Sequence, residues 1–285
     1  MIENLDDYKD RVRIACSAGH RMFNLMPNGA VTRCCGYWYA KKSPMGYITD
    51  VELRKRIVAN KNAWEACEKS HCTAQCDGYY TEQIIADGDK MLTHVGWDVS
   101  RMKNPDYCIL QAHLTALCNY KCSYCCAEKW MKDLSRNDLP PEQMVDAAGF
   151  FTETFPSGLL VSMGGEPLVA KCFVPFMAKF LKGNWNIQLV TNMSRPEKLI
   201  ELCALVPNEA HMMRIQVSLH LGEQKFNAKA ILDALIQIRD RFGVQFAATV
   251  VGTNENKKLL ADSGVRQMFE EAGAMWFNVL EYFPS

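Results

Sequence analysis

Cys118-Asn-Tyr-Lys-Cys122-Ser-Tyr-Cys125 follows an apolar run, Ile109-Leu-Gln-Ala-His-Leu-Thr-Ala-Leu117, that reads as a β-strand. Three thiols within eight residues, on a loop leaving a strand, form a compact metal site with the spacing Cys-x3-Cys-x2-Cys. A zinc ion would want a fourth Cys or His close by. A cubane iron–sulfur cluster can be held by three local cysteines, leaving one iron open for a ligand that is not protein. Cys126 is a fourth nearby thiol, but adjacent ligands on one cluster strain the backbone, so it reads as a non-ligand.

Outward from this loop, strands and helices alternate. Pro140-Pro141 opens a helix with an apolar stripe of Met144, Ala148, Phe151 and Phe155. The spacing predicts further strands at 158–163, 187–191, 214–220, 244–251 and 275–283, with helices between them, the last over 260–272. This alternation implies parallel pairing through crossovers. The fold class is α/β: a partial (β/α)6 TIM-like barrel over 106–285, preceded by a small cysteine-rich α+β domain over 1–105. In such folds functional groups gather at the C-terminal strand ends. Gly164-Gly165-Glu166-Pro167 stands there after the second strand and Thr191-Asn192 after the third. On the fourth strand Ser218 and His220 point the same way by the two-residue period.

The cysteine loop, down to Tyr124 before its last Cys, resembles that of the radical S-adenosylmethionine (SAM) superfamily. The resemblance implies a [4Fe-4S] cluster on Cys118, Cys122 and Cys125 whose open iron chelates SAM. It implies reductive cleavage of SAM and hydrogen abstraction from a substrate by a 5′-deoxyadenosyl radical. By the same likeness Gly164, Gly165 and Glu166 bind the SAM ammonium, and Thr191 and Asn192 line the site. Ser218 and His220 touch the SAM ribose or carboxylate, or the substrate. Val250-Val-Gly252-Thr-Asn-Glu255 resembles the family's adenine-packing motif, with Ala248 where that pattern has its first glycine. Leu280, Glu281 and Tyr282 fall on the adenine side.

The N-terminal third carries its own cysteines. Pro27-Asn28-Gly29 is a turn signal between apolar strand positions at Met22, Leu25 and Val31, so a β-hairpin is expected. It would bring Cys16 and Cys34 together. Val51 to Trp64 and Thr81 to Met91 read as helices, and Asn104-Pro105-Asp106 marks the domain boundary. Cys16, Gly29 and Cys34 match the opening signature of the SPASM or Twitch module of radical SAM enzymes, although that module usually follows the barrel. The resemblance implies a second, auxiliary [4Fe-4S] cluster on Cys16, Cys34, Cys72 and Cys76, with Cys67 and Cys35 as rivals. A four-thiolate zinc ribbon fits the same thiols. His20 and His71 sit beside these ligands and read as surface or supporting residues.

Composition narrows the field. The chain of 285 residues has formal net charge zero, which favours neither a polyanion nor a membrane surface. No apolar run approaches the length of a membrane span, and the N-terminus lacks a signal peptide's regions, so a cytoplasmic location is expected. Thirteen cysteines then argue for metal ligation over disulfides. The expected partners are a peptide or small-molecule substrate and an electron donor such as flavodoxin or ferredoxin, with no nucleic acid. Three functions compete: oxidation, crosslinking or epimerisation of a ribosomal peptide; dehydrogenation or epimerisation of a small sugar or aminoglycoside-like molecule; and a zinc-bearing scaffold without catalysis.

Overall fold

The computed structural model describes residues 15–16, 22–33, 43–61, 65–66, 83–84, 91–92, 106–125, 138–223 and 226–281. Its strands are β1 Ala15–Cys16, β2 Met22–Leu25, β3 Ala30–Thr32, β4 Gly46–Tyr47, β5 Glu65–Ala66, β6 Gln83–Ile84, β7 Met91–Leu92, β8 Tyr107–His113, β9 Ser157–Met163, β10 Trp185–Thr191, β11 Met213–Leu219, β12 Gln245–Gly252 and β13 Phe277–Glu281. Its helices are α1 Val51–Asn60, α2 Pro141–Thr154, α3 Phe173–Lys182, α4 Pro196–Leu205, α5 Ala228–Phe242, α6 Asn254–Ser263 and α7 Val265–Glu271.

β8 to β13 lie side by side in chain order, every neighbouring pair parallel. Alternation along each strand divides two faces. Leu110, Ala112, Leu160, Ile187, Leu189, Ile215, Val217, Phe246 and Val250 join the core with α2 to α5 and α7. The opposite face carries Gln111, Gln188, Gln216 and Thr249; Gln188 bonds Gln216 and Gln216 bonds Thr249, each at 3.1 Å. Helices cover one face, and the other mixes these polar side chains with Val161, Val190 and Val251, which is the partial (β/α)6 barrel expected. The core is aromatic at its centre. Phe23 packs on Phe151 and Phe155 with ring centroids 5.7 and 6.2 Å apart, and Trp185 donates from Nε1 to the Phe155 carbonyl at 2.9 Å.

The hairpin forms around Gly29, whose φ of 80° suits the turn, with Met26 N donating to the Ala30 carbonyl at 2.9 Å. It does not stand apart as a domain of its own. β2 pairs in parallel with β8, Met22 opposite Ile109, and β3 and β4 continue the sheet antiparallel. Phe23, Leu25, Val31, Ile48, Leu53 and Ile57 enter the same core as the barrel. The backbone edge of β2 pairs with β8, and its Phe23 and Leu25 side chains join the core.

Other boundaries shift for local reasons. The strand read as 109–117 ends at His113, because Leu114 to Leu117 turn toward the loop after β9. The helix read over 81–91 is instead an antiparallel pair, β6 with β7, and Asp87-Gly88 between them is a reversal signal in the sequence. The helix read over 260–272 is two helices broken at Gly264, which has φ 65°. Helix α1 ends at Asn60 rather than Trp64.

Candidate metal and cofactor site

Four consecutive βα loops, those after β8, β9, β10 and β11, meet at the C-terminal end of the sheet. The loop after β8 carries Cys118, Cys122 and Cys125, all free thiols; Cys118 and Cys125 are exposed and Cys122 is half-buried. Cys125 N donates to the Cys122 carbonyl at 3.1 Å, and Tyr120 N donates to Cys118 Sγ at 3.4 Å. Burial is the first cause pushing the Cys118 and Cys122 thiols upward, Cys122 to about 12, and the carboxylate of Glu223 adds to it. Thiols held this way become thiolates on gaining a cationic partner such as iron. Among the described residues no three His, Cys, Asp or Glu side chains converge closely enough to share one metal ion. A cubane does not require that convergence, since each thiolate binds a separate iron.

The Gly164-Gly165-Glu166 loop lies directly against the cysteine loop. Gly165 N donates to the Thr115 carbonyl at 3.2 Å and Glu166 N to the Leu117 carbonyl at 2.8 Å. A Cβ on Gly165 would sit 2.1 Å from the Leu117 oxygen, so only glycine permits this approach. Gly164 has φ 113°, and a Cβ there would meet His113 Nδ1 at 2.8 Å. Burial lowers the His113 pKa to about 4 and keeps that ring neutral.

Glu166 is almost fully buried. Its Oε1 accepts from Leu168 N at 3.0 Å and from Thr191 Oγ1 at 2.6 Å, and its Oε2 accepts from Asn192 N at 2.7 Å. Despite these three donors, burial holds its carboxyl above the usual carboxylate range. Among the described residues no Lys, Arg or His forms an ion pair with it. A buried carboxylate in this condition gains from any cation that reaches it. The expected pair Thr191 and Asn192 therefore acts first by holding Glu166. Asn192 also donates from Nδ2 to Asn119 Oδ1 at 3.1 Å, and Ser194 Oγ donates to the same oxygen at 3.2 Å. Asn119 sits between the first two cysteines, so the loop after β10 is fastened to the cysteine loop. Met193, at φ 55°, is held in this turn by a bond from its N–H to Thr191 Oγ1 at 3.0 Å.

His220, just past β11, reaches the same loop. Its Nδ1 lies 3.0 Å from Cys122 Sγ and 2.9 Å from the Tyr124 hydroxyl. Ser218 is half-buried on the same strand, opposite Thr249 in register. Val250 is fully buried on the core side of β12, and the two-residue period puts Val251 on the opposite face. Gly252 serves close packing, since a Cβ there would meet the Leu280 carbonyl at 2.8 Å. Leu280 is about half exposed on β13.

Sequence reading missed Asn119, Asp138 and Asn256. Asp138 accepts from Thr115 Oγ1 at 2.6 Å, and Asn256 donates from Nδ2 to the Val251 carbonyl at 2.8 Å. A polar residue inside the cysteine spacing was the available signal for Asn119; Asp138 and Asn256 lie in loop and helix contexts that carry none. Of the expected auxiliary ligands, Cys34, Cys72 and Cys76 and the rivals Cys35 and Cys67 lie outside the described residues, as does Cys126. Cys16 is placed only by its backbone, in β1, opposite Glu65 of β5.

A family model described as the Radical SAM superfamily matches residues 113–259. No curated protein matches the chain. Two solved structures of Streptococcus suis SuiB are similar to it, one bound to the precursor peptide SuiA and one to S-adenosylmethionine. Their identities are 15% and 14% and their TM-scores 0.43 and 0.38. Each comparison covers 61% of this chain and 39% of the other, so the chain spans well under two thirds of those proteins' length.

Proposed function

The chain belongs to the radical SAM superfamily, and from that premise we propose that it removes hydrogen from a peptide substrate at the site built by Cys118, Cys122, Cys125 and Glu166. Membership implies an enzyme that uses SAM and a [4Fe-4S] cluster. Bound together, these supply a one-electron route to homolytic removal of hydrogen from carbon.

The observation that carries the reading is Glu166: a buried carboxylate with three donors, no ionic partner among the described residues, and a place beside the cysteine loop. Cys118, Cys122 and Cys125 hold the cluster. Glu166 takes the SAM ammonium, and Gly164 and Gly165 keep the backbone open beside it. Thr191 and Asn192 hold the carboxylate, Tyr124, Ser218 and His220 flank the cofactor, and Gly252 and Leu280 border its adenine end. The loops' mutual hydrogen bonds fix this geometry before ligands arrive. Cys16, Cys34, Cys72 and Cys76 hold an auxiliary cluster in this proposal, with Cys67 and Cys35 as rivals, and a flavodoxin or ferredoxin supplies electrons.

The peptide assignment rests on the polar side chains of the barrel face opposite the helices. Gln111, Gln188, Gln216 and Thr249 offer neutral donors and acceptors, and β8 to β12 contain no Asp or Glu. Carboxamides match the amide groups of a peptide. A cationic aminoglycoside would find no carboxylate on β8 to β12; Glu281 stands at the end of β13 and Glu223 beyond β11.

Two measurements test the proposal. Iron and sulfide per chain after anaerobic reconstitution should fall from about eight to about four in a Cys118/Cys122/Cys125→Ala variant, for two cubanes. A fall from about four to none would withdraw the auxiliary cluster, and iron unchanged by the triple substitution would overturn the ligand assignment. Incubation with SAM, a reductant and panels of peptides and sugars then tests the substrate: turnover of neutral sugars with none of any peptide would overturn the peptide reading. A reconstituted protein that cleaves no SAM would support the scaffold alternative.

A further inference from the structure

We propose that His220 is a positioning residue for the cluster, donating a hydrogen bond from Nδ1 to Cys122 Sγ and so raising the cluster's reduction potential. The inference rests on the proposed ligand role of Cys122.

The ring is held on two sides. Tyr124 lies parallel to it, at an interplanar angle of 6° with centroids 6.1 Å apart, and Tyr120 meets it edge-on at 5.3 Å and 83°. Held by the Tyr120 edge contact and the Tyr124 hydroxyl, the imidazole has its Nδ1 3.0 Å from Cys122 Sγ. A ligating thiolate has lone pairs and no proton, so only a nitrogen carrying hydrogen is attracted at that distance. The contact therefore selects the tautomer with the proton on Nδ1. The Tyr124 hydroxyl, 2.9 Å from the same nitrogen, then turns a lone pair to that N–H, which is shared between the hydroxyl and Cys122 Sγ.

The consequence is electronic. A hydrogen bond to a cluster sulfur withdraws electron density from the iron and favours the reduced state, which is how such bonds set potentials in iron–sulfur proteins. Neither Cys118 nor Cys125 has a side-chain donor on its sulfur among the described residues. The perturbation from His220 therefore falls on the iron that Cys122 would hold, apart from the backbone N–H of Tyr120 on Cys118 Sγ.

The test is an EPR-monitored redox titration of the reconstituted full chain without SAM. His220→Phe should lower the midpoint potential relative to wild type at equal iron content. His220→Asn, whose amide nitrogen can stand near the Nδ1 position, should recover most of the shift. A Phe variant with full iron and an unmoved potential overturns the inference. Should the Phe variant fail to hold its cluster, pulsed EPR of wild type grown with 15N-histidine decides. A weak coupling from a histidine nitrogen, lost in His220→Asn, supports the bond, and its absence in wild type overturns it. Iron retained in Cys122→Ala would instead refute the ligand reading beneath it, so the two failures can be told apart.

Discussion

Replacing Glu166 by Gln removes one charge from the centre of the site while keeping its shape. A carboxylate offers about four acceptor positions. Leu168 N and the Thr191 hydroxyl occupy both on Oε1, and Asn192 N occupies one on Oε2. One position on Oε2 remains for the SAM ammonium. In the variant, the amide oxygen can keep the first two donors, but the NH2 group then faces Asn192 N–H and presents no acceptor to the ligand. A hydrogen bond to a charged partner contributes about 1.5–3 kcal/mol, so the Kd for SAM should rise roughly 10- to 150-fold at 25 °C. Equilibrium dialysis on anaerobically reconstituted protein measures this, with iron per chain as the check on folding. 5′-Methylthioadenosine, which has the nucleoside and thioether but no amino-acid end, is the control and should bind both proteins alike. SAM binding within twofold of wild type, at intact iron, would refute the reasoning; equal weakening for the control would show general damage instead. Stability should move less than affinity. The variant avoids the desolvation of a buried carboxylate but leaves one donor unpaired, at a cost of about 1–3 kcal/mol. The raised carboxyl also sets a sign: the fold favours its neutral form, so wild type loses that contribution as pH rises through the raised pKa, and Glu166→Gln does not.

Gly165→Ala should lower iron incorporation at least severalfold and destabilise the fold by about 1–3 kcal/mol, because the new Cβ lies 2.1 Å from the Leu117 oxygen and must displace the cysteine loop; wild-type iron content would sink that account. His113 is buried neutral with its pKa lowered to about 4 from 6.5. Its contribution is present above pH 6.5 and is lost as pH falls toward 4, by about 3 kcal/mol. Urea titrations across that range should show a steeper decline in wild type than in His113→Gln, and parallel profiles would contradict it. Trp185→Ala, which empties a fully buried site and frees the Phe155 carbonyl, should cost about 3–5 kcal/mol; a loss under about 1 kcal/mol in thermal or urea unfolding would show that the core collapses around the gap.

The barrel was legible because its signals are local. Alternation such as Trp185-Asn-Ile-Gln-Leu-Val-Thr191 carries its own strand period, and burial follows it residue by residue. Cysteine spacing and Gly-Gly-Glu were equally local, and β8 and β9 bring them together. Neighbours across space were harder to read. That β2 would pair with β8 depends on a strand more than eighty residues away in the chain, and no turn signal encodes it. Val250 and Val251 show a simpler limit: the adenine-like motif fixes a segment, whereas the pleat decides which of two adjacent valines lies on the core side. The helix read at 81–91 followed composition, and cross-strand pairing overrode it.

The cross-bonding of the loops has a consequence for how the two sides of the barrel divide their work. The loops after β8, β9 and β10 are joined by Gly165 N to Thr115 O, Glu166 N to Leu117 O, Thr191 to Glu166 and Asn192 to Asn119, and His220 brings in the loop after β11. These contacts hold the four loops to one another, so the arrangement proposed for the cluster and the SAM amino acid rests on hydrogen bonds within the chain. The hairpin strand β2 covers the flank of β8 and removes an open edge on that side. At the other end, Trp276, Val279 and Leu280 on or beside β13 are each more than a third exposed, and no further described strand pairs with β13. Cross-bonded loops at the C-terminal ends of β8 to β11 and exposed apolar side chains beside β13 thus divide the described sheet into a fastened part and a solvent-facing part.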